Sequence, residues 1–171
     1  MTPKEAVSKI LLNVVKIFGA GWLGFLFGWV AYYVCQAFRP ENEKIEYITL
    51  ISTATLVTVI VLVVMSCREW YTERTPPSTK TLLLHAAAPA LVHMLLCIIS
   101  FGNIYIMMIP TYFSYLLADM EVESIRMEHI VLTTLIFDPI YAGALFVGGI
   151  MGRRKRVKDR NRLLGGVQQE P

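Results

Sequence analysis

A single carboxylate stands inside a long apolar run. Asp138 is the only acid between His129 and Gly152, and Pro139 follows it directly. A carboxylate in hydrocarbon is costly and turns toward a bundle interior, a water-filled cavity or a partner. The proline has no amide to give the carbonyl one turn earlier, and it can bend a helix. An acid beside such a bend is a candidate proton or cation site. The plainer alternative is an acid that stays neutral or caps the broken turn.

His93 is a second polar residue in apolar surroundings. It lies twelve residues into the run that begins at Thr81, roughly 18 Å along a helix. Asp138 lies about nine residues, or roughly 14 Å, into its own run. On helices running in opposite directions the two sit at similar height, and a His–Asp pair satisfies both groups. His85 stands eight residues before His93, not at the three- or four-residue spacing of a two-histidine metal face. No metal and no cofactor are therefore expected.

Cys35, Cys67 and Cys97 are odd in number, and no CxxC pair exists. They suit packing as small apolar side chains, not a disulfide framework or a thiol redox centre. There is no HExxH, GxSxG or Walker loop. The loops are too short for a soluble catalytic domain, so the expectation is a protein without catalytic activity of its own.

The elements that must position these residues are read from the charge pattern. Apolar residues make up 55% of the chain and charged residues only 17%, with a mean hydropathy of +0.53. The charges cluster and leave stretches that only lipid can solvate. Residues 17–38 carry no charge; as a helix they rise about 33 Å, enough to cross a core about 30 Å thick. No small-residue cleavage site follows, so this run reads as an uncleaved helix and not a signal peptide. Residues 48–67 form a second span whose Thr and Ser hydroxyls can bond back one turn.

The third apolar region runs from Thr81 to Ala118 with no Lys, Arg, Asp or Glu in its 38 residues. A single straight helix of that length measures about 57 Å, yet two spans need about 40 residues before any turn. Pro89, Gly102-Asn103 and Pro110 interrupt it. The reading is one span over residues 81–101, then an irregular or interfacial segment over 102–118, where Tyr105, Tyr112 and Tyr115 suit a membrane interface. A fourth span covers residues 129–152. The predicted fold is an all-α, four-helix transmembrane bundle over residues 1–152, followed by a basic cytoplasmic tail over 153–171.

Orientation follows from lysine and arginine. With four spans, 13 of them fall on the side holding both termini and the 68–80 loop, and 3 on the other side. That bias predicts both termini inside, in a multi-pass protein of the cell membrane. The opposite loops are acidic, with Glu41, Glu43, Glu46, Asp119, Glu121, Glu123 and Glu128. Within the tail, seven of the ten residues 153–162 are basic. This run is a topology signal, and Arg153, Arg154, Lys155, Arg156 and Lys158 are candidate contacts for anionic lipid. It lacks the interleaved aromatics of a nucleic-acid site. Ahead of the first span, Ala6, Val7, Ile10, Leu11 and Val14 share a helix face, which predicts a segment lying on the inner leaflet before the chain turns into the membrane.

Small residues recur every four positions in two spans: Ala20, Gly24 and Gly28 in the first, Ala144, Gly148 and Gly152 in the last. Such faces let backbones approach closely, and the expectation is that the first and last helices pack together. A homo-oligomer or partner interface is the alternative use. Small size, short loops and one intramembrane acid favour an accessory, regulatory or assembly subunit of a larger membrane system, in contact with the lipid bilayer and with a membrane protein partner. The alternative is a small proton- or cation-coupled transporter using Asp138.

Overall fold

The computed structural model describes residues 3–38, 43–73, 77–99 and 127–167. Among these are four helices: α1 (Pro3–Phe38), α2 (Glu43–Thr72), α3 (Thr79–Ile99) and α4 (Met127–Val167). Each is long and apolar enough to cross a membrane. The irregular segment expected at 102–118 lies outside the described residues.

Local signals account for the helix limits. Pro3 stands at the first position of α1, where its missing amide costs nothing. Ser78 caps α3: its Oγ accepts from the Thr81 amide at 3.1 Å. In the β-branched stretch of α2, Thr49, Thr55 and Thr58 donate to the carbonyls of Ile45, Ile51 and Ala54 at 2.7–2.8 Å. These hydroxyls are thereby satisfied without water.

Neighbouring helices are α1–α2, α2–α4, α4–α3 and α3–α1. Around the bundle the order is therefore α1, α2, α4, α3, with α1 diagonal to α4. Contacts fix the directions. Lys9 of α1 meets Glu73, just past α2, and Gly28 meets Leu50, so α1 and α2 are antiparallel. Asn13 meets His85, while Phe18 meets His93, so α1 and α3 are parallel. The core holds Ile17, Ala20, Leu50, Ala54, Leu62, Phe137 and Tyr141, all buried. Leu26, Leu56, Val64 and Leu95 point outward and are more than half exposed, as lipid-facing positions should be.

Two expectations are corrected. The N-terminal segment does not lie apart on the leaflet; α1 is continuous from Pro3 to Phe38. Its Lys9 and Lys16 turn toward the end of α2 and pair with Glu73 and Glu69, while Val7 and Leu11 face outward. Beyond the expected span over 129–152, the last helix continues through the basic run to Val167. Finally, the two small-residue faces do not meet each other, and both are covered by α2. A Cβ on Gly24 would collide with the Ala54 carbonyl, and one on Gly28 would stand 2.8 Å from the Leu50 carbonyl. Cβ atoms on Gly148 and Gly152 would collide with the carbonyls of Val63 and Cys67. Ala20 and Ala144 are buried on the same faces. Two hydroxyls bridge these close approaches. Thr58 reaches the Ala20 carbonyl at 3.2 Å, and Ser66 donates to the Leu145 carbonyl at 2.7 Å.

Candidate functional site

Antiparallel packing of α3 on α4 brings His93 and Asp138 together. His93 Nδ1 and Asp138 Oδ1 are hydrogen-bonded at 2.6 Å, and each side chain is 5% exposed. Aromatic rings enclose the imidazole: Phe18 of α1 at 5.0 Å and Tyr141 of α4 at 6.0 Å between ring centres. The second carboxyl oxygen, Asp138 Oδ2, is buried and has no hydrogen-bond partner among the described residues. Asp138 also lines a groove of about 300 Å³ whose described lining residues come from α3 and α4: Ala87, Ala90, Leu91 and Met94 on one side, Leu135, Asp138, Pro139 and Ala142 on the other. Small alanines on both helices leave this space, and Pro139 removes the amide that would bond the Leu135 carbonyl.

Cys97 lies one turn beyond His93. Its Sγ is 3.9 Å from Nδ1 and 3.7 Å from Nε2. A sulfur nearly equidistant from both nitrogens is not in line with either. A thiol–imidazole–carboxylate relay needs the thiol on one nitrogen and the acid on the other, and this geometry does not provide it. The described residues contain no group of three or more His, Cys, Asp or Glu arranged to hold a metal ion. The three cysteines are free thiols.

No protein-family model matches this chain, and no curated protein or solved structure matches it either.

A second polar centre, which the sequence reading missed, lies toward the basic end of the bundle. Pro89 has no amide to give the His85 carbonyl, and Asn13 of α1 supplies a donor instead, Nδ2 to O at 2.9 Å. Lys16 donates to Asn13 Oδ1 at 2.9 Å and also to Glu69 of α2. His85 Nδ1 donates to the Thr81 carbonyl at 2.8 Å, which leaves the buried Nε2 as an acceptor without a partner among the described residues. Trp70 packs edge-on against the His85 ring at 5.5 Å, and Lys9 lies over the indole. A signal for this centre was present: Lys9, Asn13 and Lys16 share one face of a helix, and Glu69 and Glu73 are four apart on another.

Beyond the bundle, one side of the α4 extension docks onto α2. Arg156 donates to the Tyr71 carbonyl at 3.0 Å, and the Tyr71 hydroxyl donates to Asp159 at 3.1 Å. Lys155 covers the Tyr71 ring. Arg153 donates to the Pro77 carbonyl and Thr79 Oγ1. Three of the five residues expected at anionic lipid thus engage the protein itself. Arg154, Lys158 and Arg162 border a shallow groove along the extension.

Proposed function

We propose that the protein is an accessory, regulatory or assembly subunit of a larger membrane system, without catalytic activity of its own. It resides in the cell membrane with both termini in the cytoplasm. The observation that supports this reading best is the helical extension of α4. Its basic residues form a helical arm, docked through Tyr71 on one side and offering Arg154, Lys158 and Arg162 on another. A sequence that served only as a topology signal would need no such docking. An arm of this kind suits an acidic partner surface, with anionic lipid headgroups reached by its first turn.

Purification in mild detergent tests the reading. A stoichiometric protein partner should accompany the wild type and be lost when Arg154, Lys158 and Arg162 are changed to Glu. A clean homodimer, indifferent to those changes, would move the weight to transport. Orientation is tested by a reporter after Pro171, expected in the cytoplasm, and by reporters near Glu43 and Glu123, expected outside. An exterior C-terminus overturns the topology.

The transporter reading draws its support from the unpartnered oxygen of Asp138. Against it, the described residues lining the groove beside Asp138 come from two helices, whereas a path along the bundle axis would be lined by all four.

A further inference from the structure

We propose that the groove between α3 and α4 binds a single-chain amphiphile with a protonated amine head, taken up laterally from the bilayer. The site is separate from the α4 arm and does not depend on the role given to it.

Four observations carry the assignment. The groove is about 300 Å³, at the lower end of the range for small-ligand sites. Leu91 and Leu135 at its rim are 56% and 55% exposed, so it opens on the lipid-facing flank. Asp138 is the one charged or ionisable residue among the described lining residues, and its Oδ2 is buried with no partner among the described residues. His93 holds the other oxygen at 2.6 Å, which fixes the carboxyl group in this orientation.

The carboxyl oxygens of Asp138 are acceptors, and no Lys, Arg or His stands among the described lining residues. An ammonium head meets them with donors and with charge opposite to the carboxylate, and the pairing is strong where water is excluded. A carboxylate or sulfate head would be repelled. A neutral hydroxyl would make a hydrogen bond without the ionic attraction. The alkyl chain then lies along Leu91, Met94 and Leu135.

The test is thermal unfolding of the purified full-length protein in lipid nanodiscs. The probes are tetradecylamine, tetradecanol, tetradecanoate, methylamine and a leucine-rich transmembrane peptide with one central lysine. Tetradecylamine near saturation should raise the melting temperature by about 5 °C or more, the alcohol by much less, and tetradecanoate and methylamine not at all. Asp138→Asn should lose the amine-specific shift. If that variant melts lower than the wild type without ligand, Ala142→Met, which fills the groove and leaves the acid in place, serves instead and should also lose it. Equal shifts from amine and alcohol, no shift from the amine, or a full shift in either variant overturns the proposal. A shift produced by the lysine peptide and not by the amine assigns the groove to a partner helix and also overturns it.

Discussion

Pro89 and Asn13 are far apart in sequence and meet at one carbonyl. The helix loses its donor to His85 at Pro89, and α1 restores one through Asn13. Asn13→Ala should therefore cost about 1–3 kcal/mol, the usual penalty for a buried acceptor left bare. Pro89→Ala gives the helix back its amide, so in that background the Asn13→Ala penalty should largely vanish. Denaturation of the four proteins of this cycle in detergent measures it; strictly additive costs would show that the carbonyl is not the link. At Asp138 the substitution Asp138→Asn keeps a hydrogen-bonding group against His93 and should preserve the fold, whereas Asp138→Leu strands the buried imidazole at a cost of about 1–3 kcal/mol. Loss of function in a well-folded Asn variant would make the transporter reading the leading one. The His93–Asp138 pair was legible in the sequence because each residue stands alone in an apolar run, at matching depth on opposed helices. The groove beside it was not, since it depends on which alanines of α3 face α4.

At the scale of the helices, a small-residue face shows that a backbone comes close but not which one. Both faces were visible as four-residue repeats, yet the partner was set by α2, whose Ala54 and Ser66 accept the approach on two different sides. Gly24→Leu or Gly148→Leu should cost about 1–3 kcal/mol through overpacking, and even alanine has no room at either position. Gly143 is the internal control: a Cβ there meets nothing within 4 Å. Gly143→Ala should be neutral or stabilise the helix by up to about 1 kcal/mol. Melting temperatures of the three variants decide the matter, and equal behaviour at Gly24 and Gly143 would place the α1 face toward lipid. The N-terminal segment was misread for a related reason. Its apolar stripe drew attention, while the face that enters the bundle is the one carrying Lys9, Asn13 and Lys16.

Across the whole molecule, the ionic contacts between α1 and the end of α2 differ in depth. The Lys16–Glu69 side chains are 9% and 15% exposed, against 22% and 32% for Lys9–Glu73. Lys16→Met leaves Glu69 half-stranded and should cost about 3–5 kcal/mol, while adding Glu69→Leu should recover most of the loss. Lys9→Met at the wetter pair should cost no more than about 1 kcal/mol. Unfolding at low and high salt separates them, because screening reaches the outer pair first. Equal costs at both sites would show that the inner pair is as well hydrated as the outer one.

The circular order of the helices bears on how the chain is made. Helices α1 and α2 leave the ribosome as a hairpin whose backbones already fit, and α3 can settle against α1. Helix α4 then has to enter between α2 and α3, on the two flanks its predecessors leave open. Until it arrives, His93 has no acid to meet and the Ser66 hydroxyl has no Leu145 carbonyl. A nascent chain halted before α4 therefore exposes polar groups to hydrocarbon on adjoining surfaces, the kind of lesion that membrane chaperones hold and membrane proteases remove.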